Sequence, residues 1–165
     1  MVIKADVCII GAGSGGLSLA AGASQLGASV VLVERDKMGG DCLNTGCVPS
    51  KALLAAAKHH WQSLNNANLG LTIIKSKLDF TKVMLHVKET IKTIEPHDSV
   101  ERFEALSCKV ILGHGKFVDK KTLQVGEQVI QASRFVIATG SSTLIPPIKG
   151  LANIPFYTNE TIFNI

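Results

Sequence analysis

The chain is poor in charged and aromatic side chains and has no long apolar run. Charged residues make up 18% of its 165 positions and aromatic residues 5%, with one Trp and one Tyr. No apolar run approaches the roughly 18 to 20 residues that a membrane-spanning helix needs, and the first residues do not have the pattern of a signal peptide. We therefore expect a cytoplasmic protein that has no membrane partner.

The distribution of charge does not favour binding to nucleic acid. Seventeen Lys and Arg face 13 Asp and Glu, a net charge of +4, and 14 of the 17 basic residues are Lys scattered along the chain. A nucleic-acid-binding surface concentrates basic residues on one face or stripe. We expect no nucleic-acid partner.

Glycine is the residue that the chain has in excess. The chain has 15 glycines, and 46% of its residues are hydrophobic. This composition is typical of a folded domain. The length alone predicts one domain. Glycine is favoured where the backbone turns sharply or closely approaches a ligand, so the positions of the glycines guide the interpretation.

The first 34 residues predict a β-α-β unit. An apolar, β-branched run at 4–10 indicates a strand, and good helix formers at 17–26 precede Gly27, which is favoured just beyond a helix end. A second buried strand follows at 28–33 and closes with Glu34. Strand, helix and strand within about 30 residues are typical of an α/β fold with a parallel sheet.

Further elements are expected along the rest of the chain. One long helix is predicted from Cys42 or Asn44 to Leu64, and apolar spacings of three and four between Phe80 and Leu106 predict two amphipathic helices with a break at Pro96. Short alternating runs indicate a small antiparallel meander followed by one more buried strand: 110–113, 116–118, 122–125 and 129–132 for the meander, and 134–138 for the strand.

Gly11, Gly13 and Gly16 form a G-x-G-x-x-G pattern between the first strand and its helix. In this motif the first glycine allows a tight turn, the second lets the backbone approach a pyrophosphate, and the third allows close packing of helix and strand. Glu34 is placed to accept hydrogen bonds from ribose hydroxyls. The pattern predicts a dinucleotide site for either NAD or FAD, with a glycine-rich turn that binds nothing as the alternative.

Cys42 and Cys47 lie in a second glycine-rich block, GGDCLNTGCVPSK, near the start of a predicted helix. Their spacing allows a disulfide, and in a reducing compartment such a pair is more often catalytic than structural. A helix N-terminus lowers a thiol pKa, so one of the sulfurs is a candidate thiolate. Lys51, four residues after Cys47, falls on the same helix face. Zinc is the alternative, but no second Cys or His pair has suitable spacing.

These motifs, together with Val136-Ile137-Ala138-Thr139-Gly140, resemble the N-terminal FAD-binding part of the class I pyridine nucleotide-disulfide oxidoreductases, which include dihydrolipoamide dehydrogenase, mercuric reductase and glutathione reductase. The resemblance implies a Rossmann-like FAD domain. It implies that Cys47 lies beside the flavin and forms a charge-transfer pair with it, and that Cys42 exchanges with substrate. The cofactor-binding residues that it implies are Gly11, Gly13, Gly16, Glu34, Gly40, Lys51, Gly115, Thr139, Gly140 and Ser141.

The mechanism implied by the resemblance is hydride transfer from NADH or NADPH to FAD, then reduction of the Cys42–Cys47 disulfide, then exchange with a small disulfide or reduction of a metal ion. No resident metal is expected. The alternative is a nucleotide-binding module without turnover, for which the cysteine pair has no use.

Three features of the family are missing from the 165 residues: a second G-x-G-x-x-G, a later Gly-Asp segment and a C-terminal His region that serves a partner subunit. We therefore expect residues 1–147 to be the N-terminal part of an FAD domain, and residues 148–165 to be a linker and the start of a nicotinamide domain. The parent protein is expected to be a homodimer, and the chain alone to be inactive.

Overall fold

A computed structural model describes residues 2–65, 70 and 77–165. After an initial strand, helix and strand, four described α-helices are followed by four strands. The helices are α1 (Ser14–Gln25), α2 (Gly40–Asn44), α3 (Cys47–Asn65), α4 (Phe80–Ile94) and α5 (Val100–Ala105), and the strands are β1 (Val2–Ile10), β2 (Val30–Glu34), β3 (Cys108–Leu112), β4 (Gly115–Asp119), β5 (Thr122–Val125) and β6 (Gln128–Ile137).

The six strands form one sheet in the order β3-β2-β1-β6-β5-β4. The first four strands in this order are mutually parallel, and β5 and β4 continue the sheet as an antiparallel extension. β1 pairs with β6 over its whole length, from Val2 opposite Val129 to Ile10 opposite Ile137. The α/β, Rossmann-like fold predicted from the sequence is confirmed.

The sheet is covered on both faces by separate apolar clusters. β2 is buried along its whole length because its alternate side chains enter different clusters. Val31 and Val33 pack in a cluster with Leu123 and Ile130 of the antiparallel part. Leu32 packs in the other cluster, with the α1 and α5 side chains. Both faces of β2 are therefore core, which explains its uninterrupted apolar sequence.

Two of the predicted strands have different partners from those expected. The run at 110–113 belongs to β3, which pairs in parallel with β2 rather than joining the meander. The runs at 129–132 and 134–138 are parts of a single strand, β6, which pairs with β5 in its first half and with β1 throughout. Alternation predicts strands but carries no information about partners, which depend on packing.

The long helix predicted from Cys42 or Asn44 to Leu64 is also wrong in its continuity. It is divided into α2 and α3 at Thr45 and Gly46, where Thr45 takes φ −140° and ψ 9°. The two amphipathic helices at 80–106 are confirmed as α4 and α5, with a 3₁₀ turn at Glu95–Asp98 that contains Pro96. Among the described residues, no helix is long and apolar enough to cross a membrane.

Candidate active site

A pocket of about 490 Å³ opens where the parallel strands end. β1, β2, β3 and β6 run in the same direction, so their carboxyl ends meet at one edge of the sheet, which is where open α/β sheets bind ligands. The lining comes from the strand ends, the loops that follow them and the C-terminal segment: Ile10, Gly11, Gly13, Val33, Glu34, Arg35, Asp36, Lys37, Gly40, Asp41, Asn44, Thr45, Gly113, His114, Gly115, Ala138, Thr139, Gly140, Ser141, Ser142, Glu160, Phe163 and Asn164.

Closely approaching backbone around the glycine loops shapes one side of this pocket. A Cβ on Gly11, which has φ +105°, would lie 2.3 Å from the carbonyl oxygen of Ala138. A Cβ on Gly16 would lie 1.8 Å from the Gly11 carbonyl oxygen, and one on Gly40 would lie 2.7 Å from the Gly13 Cα. Gly13 differs, because a Cβ there would meet nothing closer than 3.8 Å. The loop packing excludes side chains at three of these positions and leaves space at Gly13.

Glu34 is buried in the wall of the pocket, with 8% of its surface exposed. One carboxylate oxygen accepts the backbone N–H of Ala12 at 2.6 Å, and the other accepts that of Asp36 at 2.8 Å. These bonds hold the carboxylate against the first glycine loop. Each oxygen keeps a further acceptor site, so the ribose contact predicted for Glu34 stays compatible with the geometry.

The pocket brings together eight of the twelve site residues named from the sequence. These are Gly11, Gly13, Glu34, Gly40, Gly115, Thr139, Gly140 and Ser141. Gly16 contributes by packing beneath the first loop and not by lining the pocket. The other three, Cys42, Cys47 and Lys51, lie on α2 and α3.

The two cysteines are neighbours across the turn between α2 and α3, and both are free thiols. Gly46 makes the turn possible, because a Cβ there would lie 2.7 Å from the Asp41 carbonyl oxygen. That same carbonyl accepts the backbone N–H of Thr45 at 2.9 Å, which closes α2. The turn therefore ends one helix and starts the next within two residues.

The thiols interact with each other and with the lysine. A hydrogen bond to Cys47, together with burial and the charge of Cys47, raises the pKa of Cys42, and the Lys51 cation opposes this shift. The lowered pKa expected of a thiol at a helix N-terminus is therefore not found at Cys42. Lys51 is close enough to Cys42 for its positive charge to favour the thiolate.

The remaining cysteines, Cys8 and Cys108, are buried in the core. Cys8 is fully buried, and burial raises the pKa of its thiol to about 11. The Cys108 thiol lies 3.6 Å from the Ala20 carbonyl oxygen. Within the described residues, no group of three or more His, Cys, Asp or Glu side chains is placed to hold a metal ion.

Some residues of the site were not named from the sequence. The side-chain amide of Asn44 donates to the carbonyls of Met38 at 3.0 Å and Gly40 at 2.9 Å, which holds the second glycine loop in place. Glu160, Phe163 and Asn164 reach the pocket from the C-terminal segment. Asn44 lies inside the GGDCLNTGC block, which was a usable signal, but no local pattern points to the C-terminal residues.

A second cavity of about 300 Å³ is lined by Cys42 and lies between α1, α2 and α5. Asp41, Asn44 and Thr45 line the first pocket, whereas Cys42 of the same short helix lines the second cavity. Helix α2 thus contributes to both.

Comparison with known proteins gives one consistent result. The family model described as pyridine nucleotide-disulphide oxidoreductase matches residues 5–164. A mercuric reductase from Lysinibacillus sphaericus is 33% identical over 160 residues, which cover 97% of this chain and 29% of the relative. A dihydrolipoyl dehydrogenase from Staphylococcus aureus is 37% identical over 153 residues, which cover 89% and 32%.

Among solved structures, the HOCl-induced flavoprotein disulfide reductase RclA from Escherichia coli has a TM-score of 0.77 and 27% identity to this chain. The match covers 97% of this chain and 34% of the neighbour. The chain therefore spans about a third of the length of the known proteins that it matches.

Proposed function

The chain belongs to the pyridine nucleotide-disulphide oxidoreductase family, and on that premise we propose that it is the FAD-binding, redox-thiol portion of a flavin-dependent reductase of a small disulfide or of mercuric ion. Family members bind FAD and use NAD(P)H. The observation that carries the proposal is the placement of α2, whose residues line a dinucleotide-type pocket and whose Cys42 borders a separate cavity.

The residues of the first pocket fit FAD. Gly13 leaves open the space that a Cβ would fill. It also precedes α1, a helix of 12 residues, so the positive end of the helix dipole would face a diphosphate bound at Gly13. Glu34 would accept from ribose hydroxyls, Gly115 would meet the adenine side, and the Thr139-Gly140-Ser141 loop would close over the cofactor. Bound FAD supplies two-electron transfer between a nicotinamide and a disulfide.

The thiols of this chain carry the electrons onward in the proposed mechanism. Cys47 and Lys51 would face the flavin, and Cys42 would face the substrate cavity. Once Cys42 has lost its proton to solvent, its thiolate attacks a substrate sulfur, and Cys47 then displaces the substrate by closing the Cys42–Cys47 disulfide. The raised pKa of Cys42 disfavours its thiolate, so we expect this exchange to become faster as pH rises.

We further propose the domain division and setting expected from the sequence. Residues 1–147 would form the N-terminal part of the FAD domain, and residues 148–165 a linker into a nicotinamide domain. The whole protein would be cytoplasmic, since in a reducing compartment a closely spaced cysteine pair is more often catalytic than structural. The family resemblance supports a homodimer. NADH and NADPH are both compatible with these residues.

Gly13→Ala tests the cofactor site directly. Gly13 has φ −80° and open space around it, so alanine is accommodated by the fold but fills the cradle. We expect the wild-type chain to quench the fluorescence of added FAD on titration. Gly13→Ala should raise the Kd for FAD at least about tenfold, a loss of about 1.4 kcal/mol of binding free energy.

Gly15→Ala is the matched control, because its Cβ would meet nothing within 4 Å and Gly15 does not line the pocket. Wild-type affinity in Gly13→Ala, or no FAD binding by the unaltered chain, would overturn the assignment.

A nucleotide-binding module without turnover is distinguished by the thiols. In the reductase, two-electron reduction of the FAD-loaded chain produces a long-wavelength absorption band that disappears in Cys47→Ser. A loaded chain whose spectrum is the same in Cys47→Ser would favour the binding module.

A further inference from the structure

The cavity that Cys42 borders is lined by polar side chains on a partly apolar base. Ser14 and Ser18 come from α1 and supply hydroxyls, and Phe103 of α5 is 1% exposed. The cavity also contains Asp98 and Arg102, which have opposite charges. A redox thiol, two hydroxyls and two charges therefore surround one space of about 300 Å³.

Asp98 and Arg102 do not form an ion pair with each other in the described part of the chain. Within the described residues, the ion pair that lies within 4.0 Å joins Lys82 and Asp79 and involves neither group. A cation and a carboxylate that share a small cavity and stay unpaired are available to a ligand that offers a partner to each. Arginine is well suited to this role, since its fork of donors matches a carboxylate.

Arg102 is held at the cavity by several contacts. Its guanidinium donates to the His97 carbonyl oxygen, and its Cζ lies 5.5 Å from the centre of the Phe103 ring. Its backbone N–H bonds to the Ser99 hydroxyl, which caps α5. The guanidinium is thereby restricted in position while it keeps other N–H groups that can donate to a ligand.

Asp98 is placed against the second glycine loop. Its Oδ2 would lie 3.1 Å from a Cβ on Gly39, so the carboxylate sits directly beside the loop that precedes Cys42. Gly39 takes φ +84° and tolerates no side chain there, because the same Cβ would also lie 2.5 Å from Leu43. The carboxylate and the loop that carries Cys42 are therefore packed together.

We propose that this cavity selects small disulfides whose substituents carry both an ammonium and a carboxylate group. Arg102 would bind the carboxylate and Asp98 the ammonium, which presents the substrate sulfur to Cys42. This inference rests on the proposed function and specifies its substrate class. A neutral amide-linked disulfide or a metal ion has no use for this pair of charges.

The exchange step balances on the residues present. Cys42 releases a proton to solvent, and its thiolate attacks one sulfur of the substrate. The new bond joins Cys42 Sγ to that sulfur, the substrate S–S bond breaks, and the other half leaves as a thiolate. Cys47 then attacks Cys42 Sγ, so that the pair is oxidised by two electrons and the second half leaves as a thiol.

The selectivity is measured on the reduced 165-residue chain with Cys47→Ser, which traps the mixed disulfide at Cys42. The probes are cystine with both charges, cystamine with cations only, dithiodiglycolate with anions only, and neutral hydroxyethyl disulfide. Mass spectrometry gives the rate of adduct formation, and the buried Cys8 and Cys108 are excluded by peptide mapping. We expect cystine to react fastest relative to the intrinsic reactivity of each probe with a free thiol.

Substitution of each charge should change the profile in a specific way. Arg102→Gln should slow adduct formation with cystine and with dithiodiglycolate about fivefold to tenfold, because it removes a charge-assisted hydrogen bond that is partly screened by solvent. The rate with the neutral probe should change by less than about twofold. Asp98→Asn should slow cystine and cystamine instead. Lys88→Gln, an exposed charge on α4, is the control and should change none of the four rates.

Equal slowing of all four probes by Arg102→Gln would overturn the proposal, as would no slowing at all. Arg102→Lys keeps the charge and should retain part of the preference, and thermal unfolding of each variant identifies one that has lost its fold. In the wild-type cavity, added salt should slow cystine more than the neutral probe, which tests the idea without any substitution at the cavity. The assay uses no FAD, so its failure and a failure of FAD binding are observed separately.

Discussion

Thr45 lies in the turn between the two cysteines, and its side-chain oxygen is buried without a hydrogen-bond partner in the described part of the protein. A buried hydroxyl that makes no hydrogen bond destabilises the folded state by about 1 to 3 kcal/mol. Its neighbour Asn44 has two partners for its amide nitrogen. The unpaired hydroxyl therefore lowers the stability of the folded chain at the turn between the two cysteines.

Thr45→Val should stabilise the cofactor-free chain. Valine keeps the shape of threonine and removes the unpaired hydroxyl, so we expect the free energy of unfolding to rise by about 1 kcal/mol. Urea unfolding followed by circular dichroism measures it, and Thr45→Ser, which retains a hydroxyl, should show no gain. A less stable Thr45→Val would mean that the hydroxyl is bonded in solution.

The buried thiol of Cys8 makes stability depend on alkaline pH. Its folded-state pKa is about 11, above the ordinary 9.0, so the unfolded chain releases this proton at a lower pH than the folded chain does. The contribution is fully present below pH 9.0 and is lost as pH rises towards 11. We expect a loss of about 2 kcal/mol across this window.

Urea unfolding at a series of pH values checks this expectation. Cys8→Ala should be less stable at neutral pH because it leaves a small cavity, but it should lose less stability between neutral and alkaline pH. Parallel pH curves for wild type and Cys8→Ala would show that other groups cause the alkaline loss.

At the scale of elements, α1 has glycines with opposite requirements. Gly16 packs against the first loop, where a Cβ would overlap the Gly11 carbonyl oxygen at 1.8 Å. Gly22 lies in the same helix with nothing within 4 Å of its Cβ position. The same substitution should therefore have opposite effects at the two positions.

We expect Gly16→Ala to destabilise the chain by about 3 kcal/mol, because backbone and not a flexible side chain must move. Gly22→Ala should stabilise it by about 0.5 to 1 kcal/mol, since alanine has the higher helix propensity. Thermal unfolding of both variants measures the difference. Equal effects at the two positions would contradict the close packing of α1 on the loop.

The break between α2 and α3 shows how an element boundary serves the site. In an unbroken helix, Asp41, Cys42 and Cys47 would all lie on the same helix axis. The turn at Thr45 and Gly46 instead places Cys47 at the start of a new helix beside Cys42. The close approach of Gly46 to the Asp41 carbonyl, which only glycine permits, creates the thiol pair.

At the scale of the whole molecule, the core and the pocket depend on different parts of the chain. Among the described residues, every buried hydrophobic core residue lies between Cys8 and Ala132. The pocket additionally uses Glu160, Phe163 and Asn164, and a hydrogen bond between Thr143 and Asn159 ties the C-terminal segment back. We therefore expect the C-terminal segment to contribute more to ligand binding than to stability.

Shortening the chain to residues 1–147 should separate the two. We expect cooperative unfolding to persist, because the core is retained, and the Kd for FAD to rise about tenfold, because part of the pocket wall is removed. Thermal unfolding and FAD titration measure the two effects. Loss of cooperative unfolding would contradict the proposed boundary at 147, and unchanged affinity would contradict the role of the C-terminal segment.

Most of the fold was predictable because its signals are local. The strands at 4–10 and 28–33, the helix at 17–26 and the glycine loops depend on residues that are close in sequence, and the structure confirms them. The same holds for the two amphipathic helices on either side of Pro96. The predicted cofactor residues around the first loop also converge on one pocket.

The sequence by itself determined the family, the glycine loops and the cysteine pair, since each is a local pattern with its own physical requirement. Only the tertiary structure decided that β3 pairs with β2, that β6 is one long strand, and that α1, α2 and α5 enclose a charged cavity beside Cys42. Asp98 and Arg102 lie more than 50 residues from Cys42 in the chain. Long-range packing alone brings such residues together, and no periodicity or motif records it.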